Sequence, residues 1–244
     1  MKKQYWFVIL TYIFMQFSGI AGAPLLVSLG VGAGEPKREA LIAASGYWAV
    51  ISFTVALIII LLLMRKDFNE TLMREKPASI GMSIVWSIAG VFMALFVQGI
   101  AANIETNLFG VDPGSENTQM IVEVIQVTPL LMVVTSIIGP ILEELIFRKI
   151  LFGVIYQRTN FFIAGLISSV IFAIVHGEPE HLLLYSAMGF TFAYLYVKTK
   201  RIIVPIFAHV AMNTFVVVIQ VVFREDIDKI MKQYEQMQAI IGGF

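Results

Sequence analysis

Two glutamates and an arginine stand in apolar surroundings, in the stretch SIIGPILEELIFRKILFG at 136–153. A charge at the centre of a lipid-buried helix costs roughly 2.5–3.5 kcal/mol even on a lenient insertion scale, so Glu143, Glu144 and Arg148 need compensation. Glu144 and Arg148 are four residues apart, share a helical face and can pair. Glu143 points about 100° away around the helix and has no local partner. A carboxylate left over beside an ion pair suggests a reactive group in a cavity. The competing reading is a helix end at the membrane interface, with Arg148 and Lys149 reaching into water. That reading suits Lys149 as an interface anchor but explains the adjacent glutamates poorly. Gly139-Pro140, one turn upstream, should kink or open the helix toward them.

The chain has three histidines. His176 closes the apolar run FAIVH, four residues after Phe172. His209 lies in PIFAHVAMN, and Asn213, four residues on, shares its helical face. Polar groups at membrane depth are costly unless partnered, so two histidines, an amide and a spare carboxylate are best satisfied together around one wet cavity. His181 differs: HGEPEH reads as an exposed turn between spans. The alternative there is a metal-binding loop using His176, Glu178, Glu180 and His181.

A glutamate and a histidine can activate water as general base and partner. A second histidine and an amide can donate hydrogen bonds to an oxyanion. Together they are equipment for amide hydrolysis without a covalent intermediate. Alternatively, Glu143, His176 and His209 hold a zinc ion with water in the fourth position. The residues alone leave both open. There is no HExxH helix and no GxSxG motif, and cysteine is absent, which excludes thiol catalysis.

The elements that must position these groups are membrane helices. Of 244 residues, 58% are hydrophobic and 14% charged, with mean hydropathy +0.83. A soluble domain is nearer half apolar and a quarter charged. Net charge is zero, which gives no case for nucleic acid. The expected fold is all-α, a polytopic membrane helical bundle with an intramembrane polar cavity. Its transmembrane helices number about seven, near 5–30, 47–64, 79–103, 128–156, 160–177, 181–198 and 201–223. Lys2, Lys3 and an apolar run ending in AGA resemble a signal peptide, but Pro24 disfavours cleavage and the segment reads as a retained first helix. Most basic residues, among them Lys2, Lys3, Arg65, Lys66, Lys76 and Arg201, fall on one side of the alternating path. This predicts a cytoplasmic N terminus and an external 104–127 loop, which has no Lys or Arg. In the tail, Ile227, Ile230, Met231, Tyr234 and Ile241 form an amphipathic face. Gly165, Ser169, Ser186, Gly189 and Ala193 suit close helix contacts. The chain divides into N-terminal helices and loop (1–127), a core (128–223) and the tail (224–244).

Three motifs in order, EELIFR (143–148), FAIVH (172–176) and HVAMN (209–213), match the pattern EExxxR, FxxxH, HxxxN. On these residues the chain resembles the CPBP family of CAAX proteases and bacteriocin-processing enzymes, also called Abi proteins, whose eukaryotic relatives are type II CAAX prenyl endopeptidases. The resemblance implies an intramembrane endopeptidase of the bacterial plasma membrane that acts on a peptide or membrane-protein substrate in the lipid bilayer. It implies that Glu143 activates water with His176, that His209 and Asn213 form the oxyanion hole, and that Glu144, Arg148 and Phe172 support the site. It favours a metal-independent glutamate mechanism, with zinc on Glu143, His176 and His209 as the older alternative.

Two non-protease readings compete. One is a non-enzymatic membrane regulator or bacteriocin-immunity scaffold. The other is a proton-coupled transporter, which the lack of polar residues in 47–64 and 79–103 disfavours. One tension remains. At about 1.5 Å per residue, His176 lies roughly 27 Å beyond Arg158, whereas His209 lies roughly 12 Å beyond Arg201. In straight parallel spans the two histidines would sit at different depths.

Overall fold

The computed structural model describes residues 1–67, 76–112 and 114–224, with 226, 227, 229, 230, 233, 236 and 237 of the tail. Among these the regular structure is helical. We number the helices α1 (Lys3–Ser28), α2 (Lys37–Met64), α3 (Ile80–Phe109), α4 (Glu116–Val127), α5 (131–156), α6 (Phe161–Val175), α7 (Leu182–Thr199) and α8 (Ile203–Val222). The all-α membrane bundle expected from composition is what the chain forms. The amphipathic face proposed for the tail, on Met231, Tyr234 and Ile241, lies outside the described residues.

The bundle is apolar on the outside. Phe14, Ile20, Phe96 and Phe162 are each at least 70% exposed, while Glu144 and Arg148 are fully buried. Only a lipid solvent makes that inversion stable. Among the described residues, four helices are long and apolar enough to cross a membrane: α1, α2, α3 and α8. α6 has 15 residues, about 22 Å at 1.5 Å per residue, short of a ~30 Å hydrocarbon core. Of the roughly seven expected spans, four are thus matched by helices of spanning length, while α6 is a shorter apolar helix. The 104–127 segment is also not a plain loop. It ends in α4, an amphipathic helix capped by Ser115, whose hydroxyl accepts from Thr118 N–H at 3.0 Å.

Two apolar cores meet inside the bundle. Tyr5, Tyr12, Ile60, Leu145, Phe147 and Phe172 join α1, α2, α5 and α6 in one. Ala94, Met188, Phe192, Leu195 and Ala208 join α3, α7 and α8 in the other. Small residues let α6 and α7 touch, as their spacing predicts. A Cβ on Gly189 would lie 2.7 Å from Ser169 Cβ, and one on Gly165 would lie 2.6 Å from the Phe190 ring.

α5 carries the charged stretch and is not broken at Gly139-Pro140. It stays helical through that point but contains two π-helical stretches, Val134–Ile138 and Glu144–Phe152. Pro140 has no N–H to give the turn before it, and a widened turn absorbs the loss. The predicted opening is thus a local widening within a continuous helix.

Candidate active site

Glu143 and Glu144 fall at the junction where α5 passes from α-helix to π-helix. The junction sends the two carboxylates into different surroundings. Glu144 is fully buried, whereas the Glu143 side chain keeps 18% exposure. Glu143 folds back over Gly139: a Cβ added there would come 3.9 Å from Glu143 Oε1.

His209 lies against both carboxylates. Its Nδ1–H donates to Glu144 Oε1 at 2.9 Å, and its Nε2 is 3.7 Å from Glu143 Oε2. The ring is 2% exposed and stacks on Phe192 at 4.5 Å and 20°. α8 delivers it from one turn beyond Pro205, which is tolerated in the first helical turn. Glu144 thereby fixes the tautomer and turns Nε2 toward Glu143.

Arg148 lies behind this pair. Its Nε is 3.4 Å from Glu144 Oε2, and both side chains are fully buried. Its guanidinium sits over Phe172 at 4.4 Å and Phe192 at 5.5 Å, one ring from each core. The i,i+4 pair expected from sequence is present, and His209 adds a third member.

His176 is the C-cap of α6, where Gly177 at φ 76° ends the helix. Its Nδ1–H donates to Phe172 O at 2.7 Å, which leaves the lone pair of the neutral ring on Nε2. The Phe172 ring lies 4.5 Å from His176 and 6.1 Å from His209. One aromatic thus reaches both histidines. Two rings that both neighbour Phe172 are not a helix-length apart, so the straight, parallel spans assumed from sequence do not hold. Asn213 is turned toward α5, where its amide donates to Thr135 O at 3.4 Å.

Other charged residues depart from expectation. Lys149 is no interface anchor: it is 2% exposed and donates to Asp67 O at 2.6 Å, tying α5 to the end of α2. The HGEPEH turn is exposed only in part: Gly177, Pro179 and Glu180 are exposed as expected, whereas Glu178 and His181 are 6% and 7% exposed. His181 donates through Nδ1 to Glu105 Oε2 at 2.9 Å and through Nε2 to Gly114 O at 3.0 Å. Burial alone would lower its pKa, but these two acceptors and the nearby carboxylates raise it above its ordinary value of 6.5. Glu178 accepts from Ser115 Oγ and Asn117 N–H at 2.9 Å, and from the Tyr185 hydroxyl at 2.5 Å. Burial alone would raise its carboxyl, but these donors hold it below 4.5.

Among the described residues, a set of three acidic or histidine side chains with ligand atoms all within 4.8 Å of one another is formed by Glu178, Glu180 and His181; Glu143, His176 and His209 do not form such a set. In that turn Glu178 and His181 already spend their ligand atoms on protein partners.

Sequence reading missed several neighbours of the site. Phe192 stacks on His209, Tyr185 stacks on His176 at 4.1 Å, and Tyr12 of α1 stands edge-on to Phe147 at 6.0 Å. Each lies in an apolar run with no local mark of its role.

An all-helical membrane protein with a buried carboxylate–histidine–arginine centre defines the class. A family profile described as "Type II CAAX prenyl endopeptidase Rce1-like" matches residues 125–215. The chain is 58% identical to "Putative membrane peptidase YdiL" of Bacillus subtilis (strain 168) over 244 residues, all of this chain and 99% of that one. It is 31% identical to "Membrane-embedded CAAX protease MroQ" of Staphylococcus aureus (strain USA300) over 232 residues, 92% of each chain. No solved structure matches. The chain belongs to the CAAX-protease family of membrane peptidases.

Proposed function

We propose that this chain is an intramembrane endopeptidase that hydrolyses a peptide bond in a peptide or membrane-protein segment by a glutamate-type mechanism. The observation that carries the reading is His209 set between an accessible Glu143 and a buried Glu144. Glu143 takes a proton from water, held with the lone pair of His176 Nε2, as the oxygen attacks the carbonyl carbon. The developing oxyanion is met by His209 Nε2–H and an amide N–H of Asn213. With His209 Nδ1 committed to Glu144, the Nε2 edge is the one turned toward Glu143 and the reacting carbonyl. Glu143 then passes its proton to the departing amine as the C–N bond breaks.

The alternative with zinc would place the ion on Glu143, His176 and His209, where it would lower the pKa of bound water. The basic-residue distribution supports a cytoplasmic N terminus in the bacterial plasma membrane.

The test compares membranes containing the wild type with membranes containing Glu143→Ala, His176→Ala or His209→Ala. New peptide N-termini are counted by mass spectrometry. Termini should appear with the wild type and vanish with each variant; full processing by Glu143→Ala rejects the enzyme reading. Zinc content of the purified protein, and cleavage with a chelator, decide the metal question.

A further inference from the structure

We propose that Tyr185, anchored on Glu178, is a positioning residue for His176, so that the 115–117 segment at the start of α4 sets where that histidine stands. The inference rests on the reading of His176 as part of the hydrolytic site.

His176 is held from its own helix by Phe172 alone. It is the last residue before Gly177, whose positive φ turns the chain away. Its Nδ1–H bond to Phe172 O fixes one edge of the ring. The Phe172 ring lies 4.5 Å away, and both of these contacts come from α6 itself. Tyr185 stacks on the His176 ring from the first turn of α7, with ring centroids 4.1 Å apart and planes 27° from parallel.

Tyr185 is itself fixed at its far end. Its hydroxyl donates to Glu178 Oε2 at 2.5 Å. Glu178 is held in turn by Ser115 Oγ, 2.9 Å from both carboxylate oxygens, and by Asn117 N–H at 2.9 Å. Asn117 lies in the first turn of α4, where free N–H groups and the helix dipole favour an anion. The carboxylate thus caps a helix distant in sequence and also anchors the tyrosine. Charge-assisted bonds of this kind are about twice as strong as neutral ones. A phenylalanine at 185 would have filled the space, and a buried hydroxyl and carboxylate are costly unless their bond is used. The arm runs from Asn117 through Glu178 and Tyr185 to the histidine ring.

The test uses the three histidines as probes. The full-length protein is labelled with ¹³C-histidine and reconstituted in nanodiscs, and each ring signal is assigned from a His→Gln variant. Loss of the stacked ring in Tyr185→Leu should move the His176 ring protons downfield, with the His209 signal in place as the sign of an intact fold. Tyr185→Phe and Glu178→Ala each free the ring from its anchor but keep it, and should move the His176 signal the same way by a smaller amount. Because the arm acts as one unit, the double variant should move it no further than either single variant. An unmoved His176 signal in Tyr185→Leu, or additive shifts in the double variant, overturns the proposal. Misplacing the histidine should lower the rate of the cleavages that Glu143→Ala abolishes by about ten- to hundredfold in Tyr185→Leu, and by a smaller factor, alike in both, in Tyr185→Phe and Glu178→Ala. The two readings fail separately. If the signal moves as stated but no termini depend on Glu143, the arm stands and the peptidase falls. If such termini appear and the signal is unmoved, the arm falls and the peptidase stands.

Discussion

Adjacent glutamates in one helix would be taken as equivalent by composition, and the site separates them by burial. Glu143 keeps 18% exposure and lies 3.7 Å from His209 Nε2, while Glu144 is enclosed between His209 and Arg148. Their substitutions should therefore fail differently. Glu143→Gln removes a base without emptying a buried ion pair. Its thermal midpoint in detergent should stay close to wild type, while cleavage falls by about 10²–10⁴-fold. Glu144→Ala leaves the Arg148 charge buried without its carboxylate, a loss on the order of 3–5 kcal/mol. A clearly lowered midpoint should accompany its loss of cleavage. Equal midpoints for the two variants would contradict the division of roles. The motif residues were legible because charge in an apolar run is a strong signal. Phe192 and Tyr185 were not, because an aromatic in an apolar run carries no mark of which ring it will meet.

At the scale of elements, two seams hold the site in place. Along the first, α6 and α7 approach at Gly189. Alanine there would gain about 1 kcal/mol in helix propensity. It would also set a methyl 2.7 Å from Ser169 Cβ and 3.0 Å from its Cα, and backbone cannot step aside. Overpacking costs about 1–3 kcal/mol, so Gly189→Ala should lower the thermal midpoint despite its better propensity. The second seam is the turn between α6 and α7, stitched to α3 and α4 by His181–Glu105 and by Glu178. The raised pKa of His181 gives stability that is complete below its ordinary 6.5 and is lost as pH rises through the folded value. The depressed pKa of Glu178 gives stability present above 4.5 and lost as pH falls through its folded value. The difference in midpoint between wild type and His181→Gln should thus shrink as pH is raised from 6 toward 9. A difference that is constant or grows would remove His181 from the charged state assigned to it. The helix periodicity placed α6 and α7, but the stitched turn read as exposed because its partners, Glu105 and Gly114, lie far off in sequence.

For the whole molecule, the basic residues predict sidedness, and the absence of cysteine makes it measurable. Single cysteines at Lys66→Cys and Asp112→Cys are both at exposed positions, on opposite ends of α3's path. In intact cells a membrane-impermeant maleimide should label Asp112→Cys and spare Lys66→Cys until the cells are opened. The reverse pattern would invert the proposed orientation. The inverted surface, aromatic outside and ionic inside, fits lipid on every long helix.

The sequence by itself determined the solvent, the helical class and the residues worth suspecting. Hydropathy sums over a whole segment, and a charge in a lipid-facing run is costly wherever the helix ends. Tertiary structure decided what those residues do for one another. It set which glutamate is enclosed, that Phe172 meets both His176 and His209, and how Gly139-Pro140 widens α5 instead of breaking it. It also turned Lys149 inward to Asp67 and bound Tyr185 to Glu178. These outcomes depend on pairs such as Lys149 donating to Asp67 O and His209 donating to Glu144, 82 and 65 positions apart, and on the Phe172 ring of α6 meeting His209 of α8. Spacing along one chain carries no information about such pairs, because they exist only once helices distant in sequence have packed.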